Sequence, residues 1–327
     1  MGGFNYVLGL RAMASMAQGA MNDVAAAAKY TALADTGTRE FHARFYNEQL
    51  QAYGGDAGAV QTLTTPALAI GSAPTAAIGH HLVQTLQHDL VNNTNYTLRV
   101  GAVTSKLLLN VLSENGLHGT ALRAATNTAE DSWGFWLEQN ATTCFEAWSN
   151  TPHLPSKGTL NHIFLCGGIG HWMWKHLAGI APLSPGFGEV SIRPLVHDKV
   201  GPASVRGDFL SPQGMISVSW ALLAGGRGGI EPRAVSLNVT LPIGVLRASV
   251  VIPKPHVDGK AIDGPVVVLE SGEIVWDGAK LVGKHDGIFS AADQTGGIAF
   301  STSNGGFAFE ARRPPAFAQP LLLQPVL

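Results

Sequence analysis

At Pro182-Leu-Ser-Pro-Gly-Phe-Gly188 the hydrophobic period of this chain changes. Before that point apolar residues recur at helical spacing, as in Leu10, Met13, Ala14 and Ala17, one face of a 3.6-residue period. After it they alternate. Ile216, Val218 and Trp220 are interleaved with Ser217 and Ser219, and Val235, Leu237, Val239 and Leu241 with Ser236, Asn238 and Thr240. A period of two sends every second side chain to one face, so these runs read as half-buried strands of an antiparallel sandwich. The spacing therefore predicts an all-α part over residues 1–185 and an all-β part over 186–313. The tail, 314–327, carries Pro314, Pro315, Pro320 and Pro325 and reads as irregular.

Within the first part, helices are expected near Asp23 to Phe45, 60–71, 75–91, 102–115, 117–130 and 159–179, parted by Gly, Pro and Asn signals such as Asn115-Gly116. Helices joined by short turns pack as antiparallel hairpins. Helical pattern begins directly after Met1, without a basic segment, a cleavage site or a cap, and this opening reads as that of a fragment.

Charge narrows the function. Lys and Arg total 21 against 23 Asp and Glu, a net charge of -2, which gives no basic face for a nucleic acid. No apolar run reaches the roughly 18 residues of a spanning helix, so no membrane partner is expected either. Cys144 and Cys166 are too few for a disulfide scaffold or a four-thiolate zinc site, and whether they pair is open. Localisation is open too. Sequons stand at Asn92, Asn95, Asn140 and Asn238, of which Asn238 falls on the polar side of its strand.

The residues able to carry chemistry crowd between Asp131 and Gly179. Five of the seven tryptophans fall there, Trp133, Trp136, Trp148, Trp172 and Trp174, with the acids Asp131, Glu138 and Glu146 and the histidines His153, His162, His171 and His176. Indole faces beside carboxylates suit sugar rings, which offer an apolar face and a rim of hydroxyls. For any single tryptophan the plainer reading is core. Glu146, between Phe145 and Trp148, is either a carboxyl whose pKa is raised by an apolar setting, as in glycosidase acids and bases, or a surface glutamate. His162 is either structural or functional. His171 and His176 are five apart, off the spacing that puts two ligands on one helix face, and no HExxH occurs, so neither a metal nor another cofactor is expected. Gly167, Gly168, Gly170 and Gly179 interrupt a helical pattern at a cost of up to ~1 kcal/mol each relative to Ala, which close backbone packing would offset.

The ordered set Ser132-Trp-Gly134, Asn140-Ala-Thr-Thr143, Glu146-Ala-Trp148, Thr159-Leu-Asn-His162, Gly168-Ile-Gly170 and Leu177-Ala-Gly-Ile180 resembles α-L-rhamnosidases of glycoside hydrolase family 78. The likeness runs on through Pro185-Gly-Phe187, Ile192-Arg-Pro194, Gly214-Met-Ile216 and Ser219-Trp220 to Glu270-Ser-Gly272. It implies an α+β multidomain chain, part of an (α/α)6 six-hairpin barrel followed by an antiparallel β-sandwich, acting on a rhamnose-containing glycoside or oligosaccharide. It further implies inverting hydrolysis of terminal α-L-rhamnose by two carboxyl groups. Carried over by motif, Glu146 is the general base, His162 contacts the sugar, and Trp148, Trp133 and Asn161 line the pocket. Three departures stand out: Asn140 where the family has Gly, Phe145 where it has Trp, and no stretch like the RDERxGWxGD that carries the family's general acid. The expectation is an N-terminally truncated chain, weakly active or inactive alone. The alternatives are a non-catalytic rhamnose-binding or chain-pairing module, or another six-hairpin glycosidase.

Overall fold

The computed structural model describes residues 2–54, 59–153, 158–223 and 232–314. Apart from Pro314, the tail expected to be irregular lies outside them. The chain divides into two compact units, Met1–His176 and Leu177–Leu327. The division falls ahead of the expected residue 185, because Ile180–Pro182 already forms a strand of the second unit.

Among the described residues the first unit holds helices α1 (Gly2–Gly19), α2 (Val24–Phe45), α3 (Val60–Ala69), α4 (Ala76–His88), α5 (Ala102–Glu114), α6 (His118–Ala125), α7 (Trp133–Glu138) and α8 (Phe164–Trp172). A two-residue hairpin of β1 (Tyr46–Asn47) and β2 (Ala52–Tyr53) follows α2. Helices α4 and α8 each run on into a π-helical turn, Asp89–Asn93 and Met173–Leu177. Side-chain caps start several of them: Asp23 accepts from Ala26 N–H, Thr75 from Ile78 N–H and Ser132 from Phe135 N–H. The buried face of α1 is Phe4, Val7, Leu10 and Ala17, while Met13, assigned to that face by spacing, is exposed. These residues pack with Ala34 and Phe41 of α2, Tyr53, Ala67, Ile70 and Leu82 in one core. Arg11 ties α1 to the end of α3 by donating to the Ile70 carbonyl at 2.8 Å.

The second unit is a two-sheet sandwich, with a separate short pair of β9 (His256–Val257) and β10 (Lys260–Ala261). One sheet has the order β12 (Glu273–Trp276), β11 (Val267–Glu270), β15 (Gly305–Arg312), β7 (Val235–Leu241), β6 (Gly214–Leu222), β5 (Ser204–Ser211), antiparallel throughout. The other runs β13 (Ile288–Gln294), β14 (Gly297–Thr302), β8 (Arg247–Pro253), β4 (Glu189–Ile192), β3 (Ile180–Pro182). Its β4–β8 pair is parallel, the one departure from the antiparallel pattern among the described strands. The predicted alternation is met residue by residue: Ile216, Val218 and Trp220 are buried, as are Val235, Leu237, Val239 and Leu241. The inner faces share one core, in which Phe300 of the second sheet stacks on Phe309 of the first with centroids 4.9 Å apart.

Candidate active site

The segment carrying the candidate residues begins at α7. That helix is only six residues long, and it buries Trp133 and Trp136, three apart on one face. It ends in a Schellman motif: Ala141 N–H reaches the Trp136 carbonyl, Asn140 N–H the Leu137 carbonyl, and Asn140 takes φ 58°. This is the left-handed conformation that Asn tolerates best after Gly, so the replacement of Gly by Asn is accommodated.

Beyond it the chain pairs with the stretch leading into α8. Glu146 N–H donates to the Thr159 carbonyl at 3.0 Å and His162 N–H to the Cys144 carbonyl at 2.7 Å. Thr143 Oγ1 donates to the Leu160 carbonyl. A disulfide between Cys144 and Cys166 fastens the same stretch to α8, so the open question of these cysteines resolves into a covalent bridge. Phe145 points into the core, 2% exposed, and packs against Trp136, while its neighbour Glu146 is exposed. Of the two readings of Glu146, the surface one holds: the flanking aromatics are buried and the carboxylate between them is exposed. It is nevertheless held, since Thr159 N–H donates to Oε2 at 2.8 Å.

The tryptophans brace this loop from beneath. Trp148 donates Nε1–H to the Val100 carbonyl at 2.6 Å and Trp133 to the Leu165 carbonyl at 2.9 Å. Trp133 meets Trp148 edge to face, centroids 5.2 Å apart. At 6% and 9% exposure, Trp133 and Trp148, expected to line the pocket, are buried among their neighbours. Asn161 is exposed, and its N–H donates to Thr159 Oγ1. His162 is half-buried, its ring edge-on to Phe164, and its Nδ1 is buried with no hydrogen-bond partner.

One residue past His162 begins a cleft of about 500 Å³, lined by Ile163, Phe164 and Gly168 from the α8 stretch and by Lys106, Asn110 and Glu114 of α5. Glu114 pairs with Lys175 at one end. The two helices approach closely because Gly168 lies against the Lys106 backbone, where a Cβ would overlap. Burial, reinforced by the Lys175 charge, lowers the pKa of His171, and the same causes push His176 down to about 4. Burial raises the carboxyl of Asp131, with the neighbouring Glu130 charge adding to it. Among the described residues no three His, Cys, Asp or Glu side chains converge as metal ligands, and no helix is long and apolar enough to cross a membrane. The motif reading includes Thr159 but gives no role to it or to Gly158, whose backbone cradles Glu146; the signal available was a glycine directly before Thr-Leu-Asn-His162.

Residues 4–177 match the bacterial alpha-L-rhamnosidase 6 hairpin glycosidase domain, and 179–264 the bacterial alpha-L-rhamnosidase C-terminal domain. An alpha-L-rhamnosidase of Alteromonas sp. (strain LOR) is 27% identical over 235 residues, 70% of this chain and 24% of that protein. One from Streptomyces avermitilis is 30% identical over 174 residues, 52% of this chain and 16% of that protein. The chain thus spans a quarter or less of the length of these relatives. Among solved structures, the alpha-L-rhamnosidase of Dictyoglumus thermophilum superposes with a TM-score of 0.77 at 20% identity, covering 95% of this chain and 31% of that one. The Streptomyces avermitilis enzyme complexed with L-rhamnose superposes with a TM-score of 0.66 at 25% identity, covering 87% and 24%. Helical unit and sandwich agree with these matches, and the chain belongs to the bacterial alpha-L-rhamnosidase family of glycoside hydrolases, residues 4–177 falling in its six-hairpin glycosidase domain and 179–264 in its C-terminal domain.

Proposed function

We propose that this chain takes part in inverting hydrolysis of terminal α-L-rhamnosides and that Glu146 is the base. The observation that carries the reading is a surface carboxylate held by a backbone N–H, on a loop pinned by backbone hydrogen bonds, a disulfide and buried indoles. In this reaction a water oxygen attacks the anomeric carbon while Glu146 accepts its proton. The bond to the leaving oxygen breaks on the opposite face, and that oxygen takes a proton from a second carboxyl group, so the anomeric configuration inverts. His162, with an unpartnered Nδ1 beside this loop, holds the sugar. The relative complexed with L-rhamnose supports rhamnose as the ligand.

The second carboxyl is the part for which this sequence has no matching motif. General-acid assistance is worth 10²–10⁴-fold, so the 327 residues by themselves should turn over ordinary rhamnosides slowly. The test uses 2,4-dinitrophenyl α-L-rhamnoside, whose leaving group departs without a proton. Wild-type hydrolysis with release of β-L-rhamnose, seen by NMR, is expected, and Glu146→Gln should abolish it while leaving L-rhamnose binding intact. Unchanged kcat in Glu146→Gln removes Glu146 from the mechanism. Rhamnose binding without turnover in wild type would instead favour a binding module.

A further inference from the structure

We infer that Gly158 is a positioning residue for Glu146: the absence of a side chain at position 158 is what lets the Glu146 carboxylate sit on the Thr159 N–H. Gly158 has φ +65°, and a Cβ built there would overlap Oε2 and Cδ of Glu146. The next residue supplies the Thr159 N–H that donates to Oε2 at 2.8 Å and the carbonyl that receives Glu146 N–H at 3.0 Å. Glu146 is therefore gripped by two consecutive residues, one giving a hydrogen bond and one giving space. A Cβ at 158 would claim the space that Cδ and Oε2 of Glu146 occupy, so filling it displaces the carboxylate from the Thr159 N–H.

Left-handed backbone alone would explain a glycine here, and the two explanations separate chemically. Asn adopts positive φ readily but brings a Cβ. Gly158→Asn therefore keeps the backbone and fills the space. The inference rests on Glu146 being the base only for its effect on rate; the geometry has its own readout. In wild type the Thr159 amide proton shift should follow the ionisation of Glu146, and Glu146→Gln should abolish that pH dependence.

In Gly158→Asn, the Thr159 amide is expected to lose the dependence with the rest of the spectrum preserved. Hydrolysis of the dinitrophenyl rhamnoside should fall on the order of 10–100-fold in kcat with KM little changed, the signature of a misplaced base. A retained amide dependence overturns the inference. If Gly158→Asn fails to fold, the same change is made in Glu146→Ala, where the overlap is gone: folding of that double variant supports the inference, and failure there overturns it by showing that only the backbone matters. Should Glu146→Gln keep full activity, the base assignment falls, while the amide readout still decides whether Gly158 sets the carboxylate.

Discussion

The indoles of Trp136 and Trp148 stack with centroids 4.9 Å apart and planes 20° from parallel, and Trp136 Nε1–H donates to the backbone carbonyl of Trp148 at 2.8 Å. One pair of residues thus joins α7 to the Glu146 loop through both ring contact and main chain. Because both rings are buried, their loss should register in stability before it registers in sugar affinity. Trp148→Ala is expected to cost about 3–5 kcal/mol in urea unfolding. Trp148→Phe keeps part of the stack but leaves the Val100 carbonyl unpaired, for about 1–3 kcal/mol. A variant with unchanged stability and weakened rhamnose binding would return Trp148 to the pocket wall.

The glycines of α8 separate into two kinds. Gly168 meets the Lys106 backbone, whereas Gly167 and Gly170 face open space. Gly168→Ala should push α5 and α8 apart and destabilise by about 1–3 kcal/mol. Gly167→Ala and Gly170→Ala should instead raise stability, each by up to ~1 kcal/mol, through helix propensity alone. Thermal melts of the three single variants check the opposite signs.

The Cys144–Cys166 bridge closes a loop of 22 residues. Closing a loop of that size is worth about 3 kcal/mol against the unfolded chain. Reduction, or Cys144→Ser with Cys166→Ser, should lower the stability of the helical unit by that order. It should also speed hydrogen exchange at the His162 amide, whose acceptor is the Cys144 carbonyl. Unaltered exchange after complete reduction would show that the backbone hydrogen bonds hold the loop unaided.

His176 gives the helical unit a pH dependence. It is 6% exposed, its Nε2 has no hydrogen-bond partner, and burial with the Lys175 charge lowers its pKa to about 4, Glu114 opposing and His171 adding slightly. The unfolded chain, with an ordinary histidine near 6.5, binds the proton first as pH falls. The stability it contributes is therefore complete above about 6.5 and is lost on going down towards 4. Allowing for partial solvent screening, the loss should be about 2 kcal/mol. His176→Gln should flatten the stability profile between those pH values, measured by urea unfolding at pH 7 and pH 5.

Much of this was legible from spacing. The period change located both architectures, and Val218 or Leu237 could be placed in the core from alternation alone. The β4–β8 pair was not, because parallel pairing depends on which strands meet across the sheet rather than on any local pattern. Helix α7 escaped notice because six residues give less than two turns of periodicity. In the site, the motif singles out Glu146 but leaves open whether its carboxyl is buried or at the surface. Flanking aromatics suggest burial only if side chains share a face, and here Phe145 turns inward while Glu146 turns out. The grip of Gly158 and Thr159 comes from residues more than ten positions away, beyond the reach of local context.

The bridge from Cys144 to Cys166 also alters what a break in the main chain would mean. Any peptide bond hydrolysed between Glu146 and Gly158 lies inside the ring it closes. A protease cutting there would leave Glu146 and His162 on pieces that travel together as one molecule, heavier by a single water. The cut would show only after reduction, as two fragments on a gel. For this loop, continuity of the polypeptide and integrity of the molecule are separate properties.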